Sequence, residues 1–450
     1  MAGDSTPVFL FKAFVVYLQV NSKFSDMAGR IYLCLAHMSE DGQEQKFVKE
    51  AFDTNWVVPL GPNVNGFEAD LKAFLGEAGG SSAEAREVVA LSAGTAAVHL
   101  ALIACGVQAG DEVCVQSFTF CASSNPITYL GASPVFIDSE PETWNMDPDL
   151  LEDAIKDRIA KTGRAPKAII PVALYGMPYR IDRIMEIADR YGIPVIEDAA
   201  EGFGSTFKGR KLGTFGRFGV LSFNGNKMIT TSGGGALVCP DRDTWQTIMM
   251  YATQYRESYP YYQHEKIGYN YRMSNICAGI GRGQMTVAAQ HVSHHRHTAD
   301  LYEKLLENVP GVEFHRGPEW AAEGSNYWLN TIRLAPDLRV KGQEKAYSAV
   351  VTGAVGGAAG VIHAATSAHT DCEPNANVEA MRIALDAAGI ESRPVWKPMH
   401  KQPVYAGCPA YVNGVSEAVF KCGMCLPSGP CVSDADIEYI VESIRTAIEP

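Results

Sequence analysis

The stretch VIEDAAEGFGSTFKGRKLGTFGRFGVLSFNGNKMITTSGGGALV, residues 195–238, sets three apolar runs close together and interrupts each with polar chemistry. VIED ends in two acids, GVLSF runs into NGNK, and GGGALV opens on three glycines. Short apolar runs bounded by Gly, Asn and Ser read as buried strands. Asp198 leaves one such run, where an acid is costly without a partner. The plain alternative for it is a helix N-cap, which Asp fills well. Ser222 and Lys227 follow the next run. A lysine in a dry site becomes a nucleophile towards carbonyls, whereas most lysines are solvated on the surface. Gly233, Gly234 and Gly235 permit close backbone approach before the next strand.

Outward from this stretch, the chain alternates strands with helices from about residue 86. EVVALSAG, EVCVQSFTF, SPVFIDS, AIIPVALYG and PVIEDAA read as short strands. TAAVHLALIACGVQAGD, DPDLLEDAIKDRI and RIDRIMEIADRYG read as helices between them, the first closed by Gly106 or Gly110. Strands separated by helices of this length predict βαβ units and an α/β fold with a mainly parallel sheet covered on both faces. After about residue 290 the pattern changes to amphipathic helices with few strands, which predicts a smaller α+β domain. The expected division is an extension over 1–26, a large domain over 27–290 and a small C-terminal domain over 291–450. Within the last, the Ala/Gly-rich segment 340–371 reads as a loose helix or a surface insertion with no catalytic role.

Composition narrows the function classes. The 450 residues are 46% hydrophobic and carry 51 acids against 38 bases, a net charge of −13. That balance argues against a general nucleic-acid surface while leaving room for one small anion. Eleven cysteines show no framework spacing, which points to buried core thiols in a reducing, cytoplasmic setting. Cys422 and Cys425 form a lone C-x-x-C, weak support for a metal or redox centre, and no metal is expected. The apolar stretch 7–20 is interrupted by Lys12, falls short of the ~20 residues of a membrane span and lacks the flanks of a signal peptide. The expectation is that Met27 begins the functional chain.

Ligands of open parallel sheets sit at the carboxyl ends of strands. Three such ends carry polar groups: Ser92, Gly94 and Thr95 before a helix whose first N–H groups favour an anion; Asp198; and the Ser222/Lys227 pair. Pyridoxal phosphate asks for this set, with a phosphate to cradle, a ring nitrogen for an acid to hold and an aldehyde for a lysine.

The segments NWVVPLGPNVNGFEADL, ALSAGTAAVHLAL, GDEVCVQSFTF, VIEDAAEGFGS, SFNGNKMITTSGGGALV, GYNYRMSNICAGIG and IESRPVWKPMH resemble, in order, the DegT/DnrJ/EryC1/StrS family of sugar aminotransferases. The resemblance implies fold type I, with a large domain built on a mainly parallel sheet of the seven-stranded type and a smaller C-terminal α+β domain. It implies that Lys227 holds pyridoxal phosphate covalently and moves the substrate proton, that Asp198 keeps the ring nitrogen protonated, and that Phe120 stacks on the ring. Gly94, Thr95 and Ser222 would cradle the phosphate, and Asn270 would reach the phosphate site of a neighbouring subunit, giving a homodimer with shared active sites. Glu201 stands where many members have Gln, close to the ring hydroxyl. TSGGG stands where the family usually reads TGEGG, which is read as Gly234 replacing an acid.

Relatives with histidine at the lysine position are dehydratases, so Lys227 favours an aminotransferase. The implied donor is L-glutamate. The implied acceptor is a nucleotide sugar, most closely a UDP-linked 4-keto-6-deoxy-N-acetylhexosamine aminated at C4, as on routes to bacillosamine-type sugars. Arg393, Lys397 and His400 would meet its diphosphate, or belong to a loop that makes no such contact. The alternatives are a GDP- or dTDP-linked 4-keto sugar of perosamine type and, in another class, a non-catalytic pyridoxal phosphate-binding regulator.

Overall fold

A computed structural model describes residues 29–76, 86–347 and 372–450. The expected extension 1–26, and all of the Ala/Gly-rich segment beyond residue 347, lie outside the described residues.

The strands, in chain order, are β1 (Glu87–Leu91), β2 (Glu112–Gln116), β3 (Ser133–Ile137), β4 (Ile169–Ile170), β5 (Ile196–Asp198), β6 (Thr206–Phe207), β7 (Arg210–Lys211), β8 (Phe218–Ser222), β9 (Gly235–Cys239), β10 (Val312–Phe314), β11 (Asn330–Leu334), β12 (Arg393–Pro394), β13 (Ala410–Tyr411) and β14 (Gly423–Leu426). Two four-stranded ladders, β1-β9-β8-β5 and β4-β2-β3-β13, are joined by parallel bridges at Ile169–Val195 and Val172–Asp198. The result is one large sheet in which β9 alone runs against both neighbours. Its strands are buried along nearly their whole length, as a sheet covered on both faces requires. The apolar runs read in the sequence fill the two cores flanking it.

The helices follow their sequence signals. The helix Pro148–Thr162 starts at Asp147, whose carboxylate accepts from the N–H groups of Asp149 and Leu150, and stops at Gly163 with φ +72. Both are ordinary helix-end chemistry. AIIPVALYG departs from its reading. Only Ile169–Ile170 is strand, because Pro171 has no N–H for a ladder. The chain then turns through Leu174–Gly176, with Tyr175 at φ +53.

β10, β11, β14 and β12 form a second, wholly antiparallel sheet. The helices Ala288–Leu306, Ala376–Ala387 and Asp434–Ala447 enclose its core, with Tyr302, Ile332, Met381 and Ile440 at the centre. The C-terminal stretch also returns to the large sheet, where β13 pairs with β3. Among the described residues, no helix is long and apolar enough to cross a membrane.

Two histidines, His295 fully buried and His315 partly so, have their neutral forms favoured. His295 donates from Nδ1 to the Tyr327 carbonyl at 3.1 Å, and its Nε2 has no partner among the described residues. His315 stacks on Trp144 with ring centroids 3.5 Å apart. Burial pulls both down to about 3. A group that binds its proton less well when folded stabilises the fold fully above its unfolded value, near 6.5, and less as pH falls towards its folded value. The buried acids Glu197, Asp198 and Glu201, pushed up by burial, act with the opposite sign, so a reference variant is needed. Denaturant unfolding between pH about 7 and about 5 is expected to show wild type losing about 1.4 kcal/mol per pH unit below 6.5 relative to His295→Leu. A difference that does not change with pH would contradict the sealed neutral histidine.

Candidate active site

The carboxyl ends of β5 and β8 and the turn after β1 open on one cavity of about 330 Å³. Gly94, Thr95, Phe120, Asp198, Glu201, Ser222 and Lys227 all line it, although they are spread over more than a hundred positions of the chain.

Asp198 ends β5 and caps no helix, so the N-cap reading does not apply. Its carboxylate accepts from the Ser123 hydroxyl at 2.6 Å and from the Ala200 N–H at 3.2 Å. Burial pushes this carboxyl up, while Ser123, the Ala200 N–H and Lys227 pull it back. Its neighbour Glu197 faces the other way, into the N–H groups of Gly213 and Gly216 and the Tyr179 hydroxyl at 2.6–3.1 Å. The strand alternation thus sends one acid to the cavity and the other to a structural clamp.

Ser222 ends β8, opposite Gly235 at the start of β9. The loop between them carries Lys227, whose N–H donates to the Asn224 carbonyl at 3.0 Å. The Lys227 Nζ lies 3.6 Å from a Glu201 carboxylate oxygen and 3.9 Å from the centre of the Trp328 ring. Glu201 is itself buried and accepts from the Tyr175 N–H at 2.7 Å. Burial pushes its carboxyl up, against the pull of Lys227.

The helix Gly94–Ala104 begins at Ala93 with no side chain capping it, so its first N–H groups are open to the cavity. A Cβ on Gly94 would come within 3.1 Å of the Ser222 Cβ, and one on Gly235 within 2.3 Å of the Gly94 nitrogen. Only glycines allow these three segments to converge. Counted from Thr231, the third position of TSGGG is Gly233 rather than Gly234; it has open space around it, while Ser232 takes φ +69.

This donor set fits pyridoxal phosphate in kind: an uncapped helix start and a hydroxyl for a dianion, a buried carboxylate for a ring nitrogen, and an amine within the same walls. Phe120 is half-exposed at the cavity wall, 5.5 Å centre to centre from Trp396, as a ring waiting for a stacking partner would be.

Four expected residues lie elsewhere. Asn270 is exposed and bridges to Thr253, outside the cavity wall. Arg393 pairs with Glu391 at 2.8 Å. His400 is held between the Ser117 hydroxyl at 2.6 Å and Glu417 at 3.2 Å. Lys397 lines an adjoining hollow that shares Thr119, Phe120 and Trp396 with the main cavity. Sequence reading missed Ser123, Trp328 and Trp396. Ser123 follows Phe120 by one short turn and was within reach of it, but both tryptophans arrive from the C-terminal stretch with no local signal. Cys425 is a buried strand residue, the Cys422 thiol donates to the Ala418 carbonyl, and among the described residues no cluster of His, Cys, Asp and Glu could hold a metal.

The model of the DegT/DnrJ/EryC1/StrS aminotransferase family matches residues 38–349 and 348–445. The chain belongs to this family. It is 42% identical over 420 residues to the putative pyridoxal phosphate-dependent aminotransferase EpsN of Bacillus subtilis (strain 168), covering 92% of this chain and 95% of the relative. It is 34% identical to the GDP-perosamine synthase of Caulobacter vibrioides, over 90% of this chain and 95% of the relative. A crystal structure of a family aminotransferase from Brucella abortus superposes with a TM-score of 0.74 at 26% identity, covering 90% and 95% of the two chains. The α/β architecture with its mainly parallel sheet is accordingly the fold type I aminotransferase fold.

Proposed function

We propose that this pyridoxal phosphate-dependent sugar aminotransferase moves an amino group from L-glutamate to the C4 keto group of a UDP-linked 4-keto-6-deoxy-N-acetylhexosamine, in the biosynthesis of amino sugars for a glycan or polysaccharide. The observation that carries the reading is the convergence of Asp198, Ser222, Lys227 and an uncapped helix start on one cavity. When bound, pyridoxal phosphate supplies an aldehyde that exchanges amines and a ring that accepts the electrons of a carbanion. Gly94, Thr95 and Ser222 hold its phosphate, and Phe120 and the cavity walls orient its ring. Asp198, buried and steadied by Ser123, keeps a proton on the ring nitrogen. Lys227 supplies the amine for covalent attachment and then carries the substrate α-proton on Nζ. Glu201 sits 3.6 Å from that amine and, as the resemblance implies, would face the ring hydroxyl.

The same reading makes the enzyme a homodimer in which Asn270 serves a neighbouring subunit's phosphate site. Its support is the exposed aromatic surface on the segment leading to Asn270: Tyr259, Tyr261, Tyr262 and Ile267 are 51%, 62%, 77% and 85% exposed. Patches of that kind mark association surfaces.

The UDP acceptor rests on the motif resemblance of DTNWVVPLGPNV and IESRPVWKPMHKQPVY. A GDP-linked 4-keto sugar is the second reading, supported by the 34% identity to a GDP-perosamine synthase. Steady-state kinetics with both nucleotide classes test this. The UDP sugar is expected to show a kcat/KM at least roughly tenfold higher, the worth of one well-made contact. Equal values, or a preference for GDP, would remove the UDP assignment and leave the transamination itself standing.

A further inference from the structure

Trp328 is 1% exposed, yet one face of its indole lines the cavity. The Lys227 Nζ lies over that face, 3.9 Å from the ring centre. The indole N–H donates to the carbonyl of Asn226, the residue preceding Lys227, at 2.7 Å. The tryptophan therefore grips the lysine at both ends, through its charged tip and through the peptide that carries it.

The grip is itself fixed. The Trp328 N–H donates to Asn326 Oδ1 at 2.8 Å, and Asn326 Nδ2 donates to the carbonyls of Glu201 and Phe203 at 2.9 and 2.8 Å. Tyr327, between them, is held at φ +49, a conformation that persists in a non-glycine residue only where the surroundings impose it.

We infer that Trp328 is a positioning residue that receives the Lys227 ammonium whenever it is detached, favouring its charged form and fixing its place. This rests on the proposal that Lys227 is the group bound covalently to the cofactor. Lys227 is faced by the carboxylates of Asp198 and Glu201 and by the Cys34 thiol. The ring face adds attraction to theirs without consuming an N–H donor.

The test follows the amine directly, without turnover. Apoprotein is mixed with pyridoxal phosphate over a range of pH. The neutral Lys227 amine attacks the aldehyde carbon, water leaves, and borohydride reduces the C=N bond, so the adduct is counted by mass on the Lys227 peptide. Adduct rate rises with pH through the point at which Nζ gives up its proton. Trp328→Leu is expected to lower that midpoint by about one pH unit, and Trp328→Phe, which keeps an aromatic face, to restore most of it. Because Trp328→Leu can fail to fold, fluorinated tryptophans placed at position 328 provide an isosteric series in which the midpoint should fall stepwise with fluorine content. Unmoved midpoints in the fluorinated series or in folded Trp328→Leu would overturn the inference. Absence of any adduct on wild-type Lys227 would instead overturn the covalent reading beneath it.

Discussion

Lys227→Ala is expected to lower the rate of the glutamate half-reaction by roughly four orders of magnitude or more, the upper range for a positioned proton-transfer group. On the proposed mechanism the variant would lose both the amine that holds the cofactor and the Nζ that carries the substrate proton. It should remain folded. Lys227 sits in a loop rather than a strand, and its side chain meets Glu201 at 3.6 Å and the Trp328 face at 3.9 Å. Removing it leaves Glu201 without its cation, but that buried carboxyl is already pushed up by burial and can take a proton instead. Single-turnover kinetics beside a thermal melt separate the two effects. A rate within tenfold of wild type in a folded variant would contradict the assignment.

Asp198→Asn is expected to cost about 10²–10³ in kcat, the usual loss when one preorganised electrostatic partner is removed. The substitution preserves shape, and an amide oxygen can still accept from Ser123 Oγ, now 2.6 Å from the carboxylate. What would disappear, on the proposed mechanism, is the negative charge that holds a proton on the ring nitrogen. Stability should not fall with it, because burial already disfavours the charged carboxyl. The measurement pairs kcat with the unfolding midpoint. A large loss of rate with unchanged stability supports an electrostatic role, whereas unfolding without a specific loss of rate would make Asp198 a structural residue.

Much of this architecture was legible because local patterns and tertiary demands agree. The runs that end at Leu91, Asp198 and Ser222 are apolar since the sheet is buried on both faces, and their polar ends stand out for the same reason. AIIPVALYG misled as a strand because Pro171 and the positive φ of Tyr175 interrupt the ladder. At the cavity, Gly94, Asp198 and Lys227 announce themselves through their neighbours in the chain. Trp328 does not, since its place over Lys227 is made by folding the C-terminal stretch back onto the large sheet. His400 shows the converse: a histidine in a motif-rich loop proves to be held by Ser117 and Glu417. Sequence shows that such a side chain is polar but not which neighbour will claim it.

The proposed transamination is tested most directly by the absorption spectrum of the purified protein loaded with pyridoxal phosphate, recorded before and after L-glutamate. A visible band that depends on Lys227, and that glutamate discharges as the amine is transferred, is expected. A bound chromophore that ignores glutamate would contradict the proposed donor and favour a non-catalytic role, and a protein that binds no pyridoxal phosphate would contradict the roles given to Asp198, Ser222 and Lys227 together.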